Sequence, residues 1–375
     1  MNFAYGSTLA AACLVAVLLC GCCGTRRCEN AGAAVAKYQF ETDSFQTAFY
    51  ALTAAQPEKM DMLVLSGGGS HGAWGAGVLR GWSENTDNSR PKKFSLVTGV
   101  STGALLATYA FLGEPTDDLL LEEAYTTAKT SDIYRKKFIL FALLSDSLYD
   151  SSPLAKRVNK YITPEAVDRV AAAGKEGRRL YVGTVNFDTG KLAIWDLTAI
   201  AMDKENPKRL RLYRQVVLAS ASIPIMVQPV EIDGNLYADG GARAQLFFEK
   251  AFFPAFQKMK AQNRLHPNLM LHVIVNGKLG LEPTCVQDCL KPIALRTLAM
   301  LLDANAIGDL YHVELVVQLN HYGHLALCWI PDEVPVTESD VFDPKMMRDL
   351  YEAGRAFGRT KKWYNHVPES DSVRH

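Results

Sequence analysis

The chain carries no surplus charge of either sign. Forty Lys and Arg balance forty Asp and Glu over 375 residues, for a formal net charge of zero. Nucleic-acid recognition relies on an excess of positive charge, so that function class has no support here. Long apolar runs are also scarce. Thr8 to Leu19 is too short to span a bilayer comfortably and has the length of a signal h-region. The eight cysteines supply no zinc site, because no second C-x-x-C pair and no His/Asp cluster at ligand spacing accompanies them. No calcium loop, internal repeat or low-complexity tract stands out. What is abundant is apolar surface: 48% of the residues are hydrophobic, enough to bury one large core in a single catalytic domain with tails.

Three motifs carry the chemistry. Phe94 to Val100 reads as a buried strand and Ala104-Leu105-Leu106-Ala107 opens a helix, with Gly99-Val100-Ser101-Thr102-Gly103 between them. A G-x-S-x-G turn in that position holds its serine in a sharp, strained elbow with the hydroxyl exposed. The following helix points free N–H groups toward the place where an oxyanion would form. Upstream, the strand run Met62 to Leu65 leads into Ser66-Gly67-Gly68-Gly69-Ser70-His71-Gly72. Gly67 to Gly72 also fits G-x-G-x-x-G, but a dinucleotide fold needs an acidic residue at the end of the next strand, and Thr98 to Ser101 has none. A Walker loop fails for want of Gly-Lys-Ser/Thr. Adjacent glycines suit another task, presenting successive N–H groups to a developing negative charge. Downstream stands Tyr237-Ala238-Asp239-Gly240-Gly241, which taken alone also fits an ordinary turn.

These motifs, in this order, resemble the patatin-like phospholipase family, as does the connector Ala219-Ser220-Ala221-Ser222-Ile223-Pro224 on its way to Asp239. The similarity covers about residues 60 to 330. One departure is His71, where the family usually carries Lys or Arg. The resemblance implies a three-layer α/β/α fold with a mostly parallel central sheet. It also implies a Ser101–Asp239 dyad without a catalytic histidine. The oxyanion hole would come from Gly67, Gly68, Gly69 and Thr102, with His71, Gly72, Gly99, Gly103, Gly240 and Gly241 supporting the motifs. Asp239 would take the Ser101 proton, hand it to the leaving alcohol, then activate water. Desolvation would raise its proton affinity enough for the task. No metal or organic cofactor is implied.

A Ser, Asp, His triad is the mechanistic rival, with His266, His272, His312, His321 and His324 all after Asp239. None sits in a recognisable loop motif. The expected activity is hydrolysis of phospholipid or lysophospholipid acyl esters. Acyl transfer or thioester hydrolysis on the same site is an alternative, as is a lipid-binding module without catalysis.

Leu19-Cys20-Gly21-Cys22 resembles a bacterial lipobox, with Cys22 the lipidated residue, although the n-region has no Lys or Arg. The expected division is a signal over 1–21, anchor and spacer over 22–58, the acyl hydrolase domain over 59–330 and a C-terminal extension over 331–375. The enzyme would then sit on a cell-envelope membrane, periplasmic or outer-membrane associated. Cys285 and Cys289 fit either a local disulfide or two free thiols. Further strands are expected at Leu180–Val185, Lys191–Trp195, Leu269–Val275 and His312–Leu319, with a hairpin turn at Asp188-Thr189-Gly190. Phe138 to Leu144 reads as an acyl-channel wall, a mobile lid or a core helix. Asp343 to Arg359 reads as a surface helix packed on the domain.

Overall fold

The computed structural model of the protein describes residues 34–40, 60–87, 90–136, 147–247, 257, 260–261, 269–319, 323–336, 341–360 and 363–368. The signal segment, Cys22, most of the spacer and the run Phe138–Leu144 lie outside the described residues.

The strands are β1 (Gln39–Phe40), β2 (Met60–Leu65), β3 (Leu96–Val100), β4 (Arg135–Lys136), β5 (Tyr149–Asp150), β6 (Arg179–Asn186), β7 (Lys191–Asp196), β8 (Val230–Ile232), β9 (Asn235–Asp239), β10 (Leu269–Ile274) and β11 (His324–Cys328). The helices that shape the site are α1 (Gly72–Glu84), α2 (Thr102–Leu112), α3 (Pro115–Thr126), α4 (Ser152–Tyr161), α5 (Pro164–Lys175), α6 (Arg209–Ser220), α7 (Leu290–Glu314) and α8 (Pro344–Thr360). The main sheet runs β1-β7-β6-β3-β2-β10-β11, with β9 also on β6 and β8 on β9. Its heart, from β6 through β3, β2 and β10 to β11, is parallel, and the additions beyond β6 are antiparallel.

Every residue of β2 is buried, as a strand covered on both faces must be. Its side chains alternate between two cores. Leu63 and Leu65 join Trp74 of α1 and Leu106 of α2 on one face. Met60, Met62 and Val64 join Leu310 and Val313 of α7 on the other. The result is the α/β fold with helices on both faces of a mixed, mostly parallel sheet. No helix among the described residues is long and apolar enough to cross a membrane.

One expected strand is helical. His312–Leu319 is not a strand: α7 runs to Glu314 and a π-helical turn continues through Leu319. Val313, Val316 and Val317 are buried at helical spacing, a pattern that β-branched residues in a short run conceal. The strand of this region is β11, and the Asp188–Gly190 turn does join β6 to β7 as a hairpin.

The helix expected on the C-terminal extension is bound more intimately than a surface helix. A Cβ on Gly77 of α1 would stand 2.0 Å from the Tyr351 carbonyl, and one on Gly354 would stand 2.3 Å from that of Trp74. Such backbone contact between α1 and α8 is open only to residues without a side chain. Three arginines, Arg80, Arg355 and Arg359, then converge on Glu84 at the end of α1. Cys285 and Cys289 are exposed free thiols.

Candidate active site

β3 and α2 are joined by a single residue, Ser101, with φ 55° and ψ −125°. A non-glycine residue rarely occupies that backbone region, and here it turns the serine out of the strand end at the N-terminus of α2. Gly99 lies in β3 and Gly103 in the first turn of α2, so the pentad is the strand-to-helix elbow.

Register brings Asp239 to it. Val100 of β3 pairs with Gly183 of β6, and there β3 ends. The next residue of β6, Thr184, pairs with Asp239 of β9. β9 therefore takes over the edge of β6 that β3 leaves, which sets Asp239 beside Ser101 although 138 positions separate their numbers. The Ser101 hydroxyl lies close enough to the Asp239 carboxyl to stabilise its charged form.

The end of α6 fastens both backbones. The Ser101 N–H donates to Ser220 Oγ at 3.0 Å, and that hydroxyl donates to the Gly183 carbonyl at 2.7 Å. Two residues on, the Ser222 carbonyl accepts from the Asp239 N–H at 2.9 Å. One short segment thus fixes the relative position of nucleophile and carboxylate. Nothing in the sequence of this connector marks Ser220 or Ser222 for that task.

Asp239 is 2% exposed and Ser101 6%. Burial pushes the Asp239 carboxyl up to about 7, opposed by hydrogen bonds from the Ser101 hydroxyl and the Gly241 N–H, the latter at 2.7 Å. Gly240 and Gly241 form the 3-10 turn that presents this N–H. No arginine, lysine or histidine is among the causes of the shift.

The glycine-rich loop follows β2. Ser66 is held by Asn276, whose N–H donates to Ser66 Oγ and whose side-chain amide donates to the Ser66 carbonyl, both at 2.8 Å. Gly68 has φ 148°, and a Cβ there would stand 1.8 Å from the Asn276 carbonyl, so only glycine fits. Gly67, expected among the oxyanion donors, is otherwise engaged: its N–H donates to Gln245 Oε1 at 3.0 Å. The N–H groups of Gly68, Gly69 and Thr102 have no acceptor among the described residues. Of these, Gly69 and Thr102 line the same cavity as Ser101, and Gly68 does not. Gln245 belongs to no motif of the sequence. A lone amide inside the apolar run Ala244–Phe247 was the signal available for it.

His71 precedes α1 and Gly72 opens it, both outside the cavity lining. Neither His272, His312 nor His324 reaches the cavity: His272 pairs with Asp61 at 3.1 Å inside an aromatic cluster, and the other two are exposed. His266 and His321 lie outside the described residues.

The cavity encloses about 1030 Å³, counting its open mouth. Thr102, Leu105 and Tyr109 form one stripe of α2 that leads away from Ser101. Leu121 and Tyr125 of α3 and Leu154 and Val158 of α4 face it, and Phe342 and Met347 close it from the C-terminal segment. The Tyr125 hydroxyl bonds Thr102 Oγ1 at 2.7 Å, bracing the first turn of α2.

The sequence profile of the patatin-like phospholipases matches residues 63–252, half of the chain, and spans the glycine loop, the elbow and Asp239. The chain belongs to the patatin-like phospholipase family. It is 25% identical over 181 residues to uncharacterized protein R571 of Acanthamoeba polyphaga mimivirus. That alignment covers 48% of this chain and 57% of the viral protein, so the chain spans little over half the length of this relative. Among solved structures it is similar to VipD from Legionella pneumophila, at 11% identity and a TM-score of 0.39, over 83% of this chain and 68% of that one.

Proposed function

We propose that this patatin-like protein hydrolyses the acyl esters of phospholipids or lysophospholipids through a Ser101–Asp239 dyad. The observation that carries this reading is the register that sets a strained, buried serine beside a desolvated carboxylate at the base of an apolar cavity. A carboxylate at its ordinary value near 3.9 is a poor base, whereas one held near 7 can accept a proton at neutral pH. Ser101 Oγ attacks the ester carbonyl carbon as its proton passes to Asp239. The carbonyl oxygen becomes the oxyanion and receives hydrogen bonds from the N–H groups of Gly69 and Thr102, helped by the N-terminal end of α2. Collapse of the tetrahedral intermediate breaks the bond to the alcohol, which leaves with the proton from Asp239. Water then attacks the acyl carbon as its proton passes to the same carboxylate, the bond to Ser101 Oγ breaks, and Asp239 returns the proton to Oγ as the acid leaves.

The apolar walls favour an acyl chain over a polar acyl group. Attachment through a lipidated Cys22, with the enzyme working at an envelope membrane, belongs to the same proposal. The test is ester hydrolysis by wild type, Ser101→Ala and Asp239→Asn, each with its fold verified. Both variants should lose at least about a thousandfold in kcat, while His71, His272, His312 and His324 variants keep activity. A wild type inert on every ester and thioester in lipid dispersions would defeat the proposal and leave lipid binding without catalysis.

A further inference from the structure

Among the described residues Arg157 is the one charged side chain that lines the cavity. It stands on α4 and its side chain is only 18% exposed. A guanidinium has five N–H donors, and a buried one calls for acceptors. Arg157 finds few. One donor reaches the Ala124 carbonyl, and the plane lies 5.5 Å from the Tyr161 ring centre. Its carboxylate neighbour, Asp132, is 3.8 Å away, beyond hydrogen-bond reach, and 41% exposed. Glu123 is also close enough to feel the charge but is bound to Lys160 at 2.6 Å. Among the described residues this cation of the cavity wall has one hydrogen bond, to a backbone carbonyl, and one long ion pair, to the partly exposed Asp132.

Its position relative to Ser101 can be traced through bonds. Arg157 bonds the carbonyl of Ala124, the residue before Tyr125, and its field reaches the Tyr125 phenol. That phenol bonds Thr102, the neighbour of the nucleophile. Arg157 and Ser101 thus line one cavity and are linked across it through Ala124, Tyr125 and Thr102. In a glycerophospholipid a three-carbon glycerol separates the ester from the phosphodiester, so with the ester at Ser101 the phosphate falls elsewhere in the same cavity. The carboxylate of a fatty-acid product forms at the reacting carbon itself, beside Ser101. Arginine also suits phosphate better than other anions lacking its several oxygens, because its planar fork donates two parallel hydrogen bonds.

We propose that Arg157 is the phosphate-recognition residue of this site, its guanidinium receiving the phosphodiester of a glycerophospholipid whose ester carbonyl lies at Ser101. This rests on the acyl-hydrolase reading and adds to it the residue that distinguishes a phospholipid from a neutral glyceride.

The experiment compares phosphatidylcholine with diacylglycerol of identical acyl chains, each dilute in neutral detergent micelles, for wild type, Arg157→Gln and Arg157→Lys. The phosphatidylcholine surface has no net charge, so general attraction of a basic residue to the micelle drops out. Loss of a charge-assisted contact corresponds to about tenfold to hundredfold. Arg157→Gln should lose that much more kcat/KM on phosphatidylcholine than on diacylglycerol, chiefly through KM, and Arg157→Lys should fall between. Soluble glycerophosphocholine should inhibit wild type and not Arg157→Gln. Equal losses on both substrates would mean that Arg157 only props Ala124 and Tyr161, and would overturn the proposal. So would inhibition by inorganic phosphate as strong as that by glycerophosphocholine, which would mark a site for free phosphate. A wild type inert on both lipids would instead strike the acyl-hydrolase reading, and this proposal with it.

Discussion

Asp239 should be the residue whose replacement abolishes activity while making the protein more stable. Its carboxyl is pushed from an ordinary 3.8 to about 7 by burial, without a cation to oppose the shift. A carboxyl raised in the folded state keeps its proton while the unfolded chain gives it up. The contribution to stability is therefore intact below about pH 4 and is lost as pH rises from about 4 to about 7. Three pH units at 1.36 kcal/mol each amount to a penalty of about 4 kcal/mol above pH 7. Asp239→Asn removes the titration but keeps an oxygen that can accept from the Gly241 N–H. The assay is denaturant unfolding of both proteins at intervals from pH 4 to pH 8. The stability of Asp239→Asn relative to wild type should grow by about 3–4 kcal/mol across that range, a difference in which any constant cost of the substitution cancels. Over the same range wild-type kcat/KM should climb about tenfold per pH unit and level off above about pH 7, because only the ionised carboxylate accepts the Ser101 proton. A relative stability that does not change with pH, or a rate already flat at pH 5, would refute the claim that Asp239 is a desolvated base.

Other perturbations separate support from chemistry. Ser220→Ala leaves the Ser101 N–H and the Gly183 carbonyl unpaired in the interior and should cost about 1–3 kcal/mol of unfolding free energy together with a fall in kcat. Gln245→Leu frees the Gly67 N–H and should reduce kcat with little change in KM, measured on a soluble short-chain ester. Gly68→Ala drives a Cβ into the Asn276 carbonyl and should abolish activity or soluble expression. Glu84 is held at about 2 by Arg355 first, then Arg359 and Arg80, so its contribution is present above about pH 4.5 and lost as pH falls toward 2. Because solvent reaches this cluster, Glu84→Gln should cost about 1–2 kcal/mol at pH 7 and nearly nothing at pH 2, read from urea unfolding.

The parts of the site that were legible in the sequence are those where chemistry restricts the residue type. A strand that must turn into a helix over one exposed serine needs small neighbours, so Gly99 to Gly103 announces itself. Gly68 announces itself too, because no other residue tolerates its φ and the Asn276 carbonyl at once. Residues that act through ordinary hydrogen bonds leave no such mark. Ser220 and Gln245 look in the sequence like any polar residue in an apolar context. Their roles exist only once α6 and the turn after β9 have been packed against the elbow. Arg157 is one of forty basic residues until the cavity singles it out. The same reasoning explains the misread strand. Val313, Val316 and Val317 carry β-forming side chains, and packing against the sheet rather than local preference made them helical.

The β8–β9 hairpin shows what joins the two halves of the site. Its turn, Asp233-Gly234, has both residues at positive φ, the form that matches the twist of paired strands. Asp-Gly between Val230–Ile232 and Asn235–Asp239 was a readable hairpin signal, and the strand it returns is the one that ends on Asp239. A hairpin fixes register through its turn. A one-residue slip on β6 would turn Tyr237 and Asp239 to the opposite face and leave Ser101 without its carboxylate. The Asp-Gly turn, far from the reacting atoms, is therefore as necessary to the dyad as the glycines of the elbow. Shortening or lengthening it by one residue should abolish hydrolysis in a protein that still folds, whereas Glu231→Gln on the same hairpin, half a strand away and exposed, should leave the rate unchanged.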